Sequence, residues 1–328
     1  MQNRINIDAI DAKILKTLLK EARTTFTDIA KDCKISVVAV RTRYNHLKKL
    51  GVINGEIMQV NPYSLGYKCV GNIGINTSTA NEKAVIEFLK KKFPSVYPVS
   101  SWGKYNIGIR VVKKNVQEWA EALHSLDSNP YIKLADPLIW ASPTGMDHPE
   151  NLVIKPLDNK IQEGMIEEKP IIAKNEQIQL DEIDRQIAKM LVYNSRISFR
   201  SIATQLDIST QQVIQRYKKL RGTVLTLSAI TLDLKKLGYS AAVSIYLKVE
   251  RNKMQEISDK ILQIPNMIAF IRLLGSYDIN ALAALDDFNS LLRLQREIRA
   301  LEGVELVQFF VMEIWRSFPP NVFASLLE

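Results

Sequence analysis

The chain has 328 residues, 46% apolar and 24% charged, which suits two or more globular domains and excludes a disordered or collagen-like chain. Its net charge of +9 points to a polyanionic partner. Cys33 and Cys69 form no CxxC pair and no run approaches the ~20 apolar residues that cross a bilayer, so the expectation is a soluble protein of the reducing cytoplasm, without disulfide, metal or cofactor.

In the first helix, Ile10, Ile14, Leu15, Leu18 and Leu19 fall on one stripe. A second helix spans about Thr27 to Asp32, with Phe26, Ile29 and Ala30 inward. Lys34 and Ile35 make a tight connection to Ser36, a good N-cap for a third helix that runs to about Leu50 and stops at Gly51. At about 100° per residue, Val40, Tyr44 and Leu47 are its buried stripe. Val38, Arg41, Thr42, Asn45 and Lys49 point the other way, and Arg43, His46 and Lys48 lie on the flanks. Between Ser36 and Leu50 there are four Lys/Arg and no acid. This is the pattern of a recognition helix, with cations for phosphates and polar side chains for base edges, so these eight residues with Ser36 are the candidate contacts to double-stranded DNA.

Beyond Cys69 the chain reads as strand (CVGNIGIN), helix (about Asn81 to Lys92), strand (VYPVSSW), strand (YNIGIRVV), helix (about Val116 to Leu126) and strand (IKLADPLIW). This βαββαβ series is the ferredoxin-like arrangement. Residues 143–178 follow, acidic and broken by Pro and Gly, and read as a linker.

Then the pattern repeats. DAIDAKILKTL from Asp8 matches DEIDRQIAKML from Asp181, and RTTFTDIA from Arg23 matches RISFRSIA from Arg196, both at an offset of 173. LGYK at Leu65 matches LGYS at Leu237, and WGKYNI at Trp102 matches LGSYDI at Leu274, now at 172. The predicted fold is α+β, two winged helix-turn-helix domains (1–60 and 179–232) alternating with two ferredoxin-like sensor domains (61–142 and 233–328). Each helical part is basic, eleven Lys/Arg against six Asp/Glu in residues 1–60 and ten against five in 179–240. The second recognition helix offers Gln211 and Gln215 for adenine edges, with Arg216, Lys218 and Lys219 as cations, but Ile214 stands where the first has Arg41, which makes it the weaker reader.

The opening IDAIDAKILKTLLKEARTTFTDIAKDCKIS with VAVRTRYNHLKKLGVI, then NPYSLGYK, then WGKYNIGIRVV, resembles the Lrp/AsnC family of transcription regulators, nearly throughout the chain and twice. The resemblance implies a DNA-binding regulator whose sensor domains dimerise and bind small effectors such as amino acids, and a homo-oligomeric assembly. The family's Gly-x-Tyr-Asp turn, near its effector site, maps onto Gly103, Tyr105 and Asn106 and onto Gly275, Tyr277 and Asp278. Asn106 departs from the family's aspartate, so copy two is the stronger effector candidate. Sirohaem decarboxylases share the double architecture and are the enzymatic alternative. His46, His124 and His148 are scattered, however, and no catalytic constellation stands out, so no enzyme is expected. A nonspecific DNA-architectural protein is the third reading, distinguished from a regulator by equal loss of affinity for all duplexes as salt rises.

Overall fold

A computed structural model describes residues 5–93, 99–100, 103–142, 147–156 and 176–328. Most of the predicted linker lies outside the described residues, and the strand expected at 96–102 is described only at Val99–Ser100. The helical parts are α1 (Ala9–Lys20), α2 (Phe26–Cys33) and α3 (Val37–Lys49) in copy one, and α6 (Glu182–Tyr193), α7 (Phe199–Leu206) and α8 (Thr210–Leu220) in copy two. Copy one's sensor holds β2 (Cys69–Asn76), α4 (Glu82–Lys92), β3 (Val99–Ser100), β4 (Ile107–Lys113), α5 (Val116–His124) and β5 (Leu134–Trp140). Copy two's holds β7 (Ala241–Val249), α9 (Met254–Gln263), β8 (Met267–Gly275), β9 (Ile279–Leu285), α10 (Phe288–Arg299) and β10 (Val304–Glu313).

The helix boundaries have local causes. Asp8 and Asp181 cap the first helix of each copy by accepting from the backbone N–H of Asp11 (2.8 Å) and Asp184 (2.7 Å). Ser36 and Ser209 cap the third helices in the same way, through Ala39 and Gln212. The second helices end in left-handed residues, Lys34 at φ 54 and Asp207 at φ 52, which turn the chain sharply into the third.

The compact units do not follow chain order. One unit comprises the described residues within 1–65, 149–239 and 315–328, the other those within 66–148 and 240–314. The four domains expected from the sequence are thus gathered into two bodies, each built from both copies.

In the first unit the strands after the third helices, β1 (Ile53–Val60) and β6 (Leu225–Leu232), pair antiparallel with Ile57 opposite Ala229. An isolated two-stranded ribbon is marginal in water. This one is covered crosswise, α1 packing on β6 and α6 on β1, so each copy closes the other's core. The segment from Pro149 to Ile154 lies along α1, where the buried Lys16 ammonium donates to the carbonyl oxygens of Leu152 (2.7 Å) and Glu150. The C-terminal segment does the same for α6, Asn321 donating to the Val192 carbonyl at 2.8 Å.

The second unit holds the two ferredoxin-like parts, in the strand order β10-β7-β9-β8-β5-β2-β4-β3. Leu138–Trp140 of β5 pair with Leu273–Gly275 of β8, joining both halves into one eight-stranded sheet. Each half has its own core. In copy one Ile73, Ile75, Ile107 and Ile109 pack against Val85, Leu89 and Trp119, and in copy two Val243, Ile245, Ile279 and Ala281 pack against Ile257, Ile261 and Ile298. Among the described residues no helix is long and apolar enough to cross a membrane, and no His/Cys/Asp/Glu group is arranged to hold a metal ion.

Candidate nucleic-acid interface and sensor turns

On α3 the buried residues are Val40, Tyr44 and Leu47, the stripe expected from the sequence. Ser36, Val38, Arg41, Thr42, Asn45, His46, Lys48 and Lys49 are exposed, and Val38 keeps 73% of its surface in water. An apolar side chain so exposed at the start of a recognition helix suits a thymine methyl group. On α8, Gln211, Gln215, Lys218 and Lys219 are exposed and Ile214 is half-buried.

Four of the predicted DNA-contacting cations, Arg43, Lys48, Arg216 and Lys219, are ion-paired within the fold. Arg43 donates to Asp8 (2.6 Å) and Asp11 (2.8 Å), and Arg216 repeats this with Asp181 (2.6 Å) and Asp184 (2.7 Å). Lys219 adds a second pair to Asp184 at 2.7 Å, and Lys48 pairs with Glu56 at 2.7 Å. The Asp181 carboxyl is held below the ordinary carboxylate range by Arg216 and by the Asp184 N–H. Angular position on a helix places these cations at the flank. It does not show that the first helix presents a carboxylate to each. The D-x-x-D motif, present at both copies' starts, was the available signal.

Two arginines missed by the sequence reading join the copies. Arg23 donates to the carbonyls of Ser195 (2.5 Å) and Ile197 (3.0 Å) and stacks over Phe199 (4.3 Å) and Tyr217 (5.5 Å) of copy two. Arg196 reciprocates, donating to Ala22 and Thr24 and lying over Phe26 (4.6 Å) and Tyr44 (5.5 Å) of copy one. Each guanidinium thus lies over a ring of the opposite recognition helix. The identical spacing of Arg23 to Phe26 and Arg196 to Phe199 was legible as repeat, but its partner was not. Tyr44 donates to Glu56, and burial followed by this carboxylate raises its phenol above the ordinary range.

Beside α3 lies an open cleft of about 400 Å³ lined by Phe26, Arg41, Tyr44, Asn45, Lys48, Glu56, Asn194 and Arg196. Arg41 and Asn45, read from sequence as facing bases, therefore line a cleft whose far wall belongs to copy two.

The two Gly-x-Tyr turns meet in the second unit. Tyr105 donates to Asp136, which also accepts from Ser276 (2.8 Å) and Lys104 (3.4 Å). The Lys104 ammonium lies over both rings, 4.9 Å from Tyr105 and 5.4 Å from Tyr277. Tyr105 stacks on Phe310 at 5.4 Å, Tyr246 packs on Tyr277, and both predicted tyrosines are buried. Burial, then Asp136, raises the Tyr105 phenol. Asn106 and Asp278 tie their turns to the ends of β2 and β7, Asn106 accepting from Thr77 N–H (2.9 Å) and Asp278 from Val249 N–H (2.9 Å). The glycines differ in purpose. Gly275 sits at φ +144, whereas a Cβ at Gly103 would strike the Phe310 ring, so at Gly103 close approach rather than backbone conformation excludes a side chain.

Comparison with known proteins agrees with this arrangement. Residues 7–54 match the signature of a winged helix-turn-helix DNA-binding domain, 180–221 that of an AsnC-type helix-turn-helix domain, and 240–316 that of an Lrp/AsnC ligand binding domain. An HTH-type transcriptional regulator of Pyrococcus horikoshii is 33% identical over 116 residues, 35% of this chain and 73% of that protein. Regulatory protein AsnC of Haemophilus influenzae is 31% identical over 122 residues, 37% of this chain and 79% of that protein. The crystal structure of the siroheme decarboxylase NirDL is similar in fold along 97% of both chains, with a TM-score of 0.64 and 13% identity. With two copies of the helix-turn-helix and a matching ligand-binding domain, this chain belongs to the Lrp/AsnC family, in tandem-duplicated form.

Proposed function

We propose that the protein is a DNA-binding transcription regulator without catalytic activity, in which copy one supplies the stronger reader and copy two the small-molecule sensor. The observation that carries this is α3. Its outward side exposes Val38, Arg41, Thr42, Asn45 and Lys49, it contains no acid, and Arg41 makes no ion pair among the described residues. Copy two's reader contributes through Gln211 and Gln215, giving a DNA site with unequal halves. The likeness of 240–316 to an Lrp/AsnC ligand binding domain supports placing an effector such as an amino acid on copy two, near Gly275 and Tyr277. Further chains would pair with this one, as the family's assemblies do. The test is genome-wide mapping of bound sites with and without amino acids, together with footprinting. Protection of two unequal half-sites, one weakened by changing Gln211 and Gln215, is expected, and protection insensitive to both glutamines would sink the two-reader version.

The full-length likeness to the siroheme decarboxylase favours a second reading, a tetrapyrrole-acting enzyme. Incubating the protein with sirohaem tests it. A bound-tetrapyrrole absorbance band and carboxylate loss would establish it, whereas an unchanged spectrum supports the regulator.

A further inference from the structure

We infer that the cleft between α3 and the 194–196 turn of copy two binds one phosphate group. In a DNA-binding regulator that phosphate belongs to the duplex backbone, and this assignment of its source rests on the function proposed above. The first copy's reader is then a composite site, completed by a residue of the second.

One wall is α3, whose Arg41 and Asn45 line the cleft and supply a guanidinium and an amide. The other is the turn after α6, where the Asn194 oxygen accepts from Arg196 N–H at 3.2 Å and its Nδ2 remains as a donor. At the base, Arg196 lies over Phe26 and Tyr44, one terminal nitrogen donating to the Ala22 and Thr24 carbonyls and its charge retained. The lone acid of the lining, Glu56, already accepts from Tyr44 and Lys48, which neutralises it. An entering oxyanion therefore meets one guanidinium, two amides and a cation behind them, all donors and positive charge. A phosphate with several acceptor oxygens matches that set.

The related position of copy two is built the other way. At the repeat offset Ile214 replaces Arg41, Lys218 replaces Asn45 and Glu21 replaces Asn194. Glu21 is ordered there as a carboxylate, accepting from Arg221 at 2.6 Å and from Arg23 N–H at 2.9 Å. Glu21 is paired there as Glu56 is in copy one, but Ile214 offers no donor where Arg41 stands, so the two related positions of the pseudo-symmetric scaffold are not equivalent.

The experiment measures duplex affinity of the full chain across a salt series, for wild type, Asn194→Glu, Asn194→Gln and Arg41→Gln, with thermal unfolding recorded for each. Asn194→Glu is expected to bind about tenfold more weakly, as loss of a charge-assisted hydrogen bond predicts. Its salt slope should be shallower by about 0.9, the share of one phosphate. Asn194→Gln should restore both, and Arg41→Gln, on an exposed helical position, repeats the loss should the glutamate variant unfold. Wild-type affinity and slope in both Asn194→Glu and Arg41→Gln would overturn the inference. A second arm titrates inorganic phosphate and follows side-chain amide resonances. If wild type binds no duplex yet phosphate shifts Asn45 and Asn194, and this is lost in Arg41→Gln, the cleft stands and the DNA reading falls. If neither duplex nor phosphate perturbs these amides, the cleft assignment is overturned.

Discussion

Two arginines on one turn of α3 have opposite duties. Arg41 is exposed, whereas Arg43 is tied to the N-terminal carboxylates of α1. Arg41→Ala should change stability by less than about 0.5 kcal/mol, as surface substitutions do, while weakening duplex binding. Arg43→Ala should lower stability by about 1 kcal/mol, since the pair is partly exposed and screened. The same change at Arg216 should cost more, about 2 kcal/mol, because the Asp184 side chain has 0% exposure, against 15% for Asp11, although Lys219 still pairs with it. Urea unfolding of the three variants orders them, and equal losses for Arg43→Ala and Arg216→Ala would refute the role given to burial. Lys16 gives a pH test. Burial, then the neighbouring Lys20 charge, pushes its ammonium down from 10.5 to about 8. Between these values the unfolded chain binds more protons than the folded one, so this group's destabilising effect is fully present below pH 8 and fades as pH rises toward 10.5. The stability difference between wild type and Lys16→Met should therefore move in favour of wild type from pH 7.5 to 10, by at most about 3 kcal/mol. A pH-independent difference would show that Lys16 is not so perturbed.

At the scale of elements, local sequence predicted well wherever a periodic stripe or a cap decides the outcome. The first helix, the Ser36 cap and the Val40, Tyr44, Leu47 stripe all stand as read. The sensor turns were placed but not understood. Tyr105 and Tyr277 are buried against Phe310 and Tyr246, and Asn106 and Asp278 are spent on neighbouring N–H groups, which no spacing of residues could reveal. The two turn glycines should respond differently to alanine. Gly275→Ala meets both φ +144 and the Pro137 carbonyl oxygen, 2.5 Å from its Cβ, and should destabilise by about 3 kcal/mol. Gly103→Ala meets only the Phe310 ring, with no positive φ to strain it, and should cost about 1 to 2 kcal/mol. Thermal unfolding of both variants checks the order, and a larger loss at Gly103 would reverse the explanation.

For the whole molecule, the duplicated chain forms two compact units that each draw on both copies. The pairings β1 with β6 and β5 with β8 require both halves. Residues 1–156 and 176–328 produced as separate chains should therefore associate one to one, which native mass spectrometry measures. Two stable monomers would contradict the crosswise cores. The sequence by itself determined the repeat, the helices and their caps, the α/β order and the basic third helices, because each is written in neighbouring residues through periodicity and backbone preference. Only the tertiary structure decided which cations are free, that Arg23 and Arg196 grip the opposite copy, and that Asn194 faces Arg41. The cation pairings span 8 to 35 positions and the contacts between copies more than 150, and which side chains meet over such separations is set by packing, which local pattern does not encode.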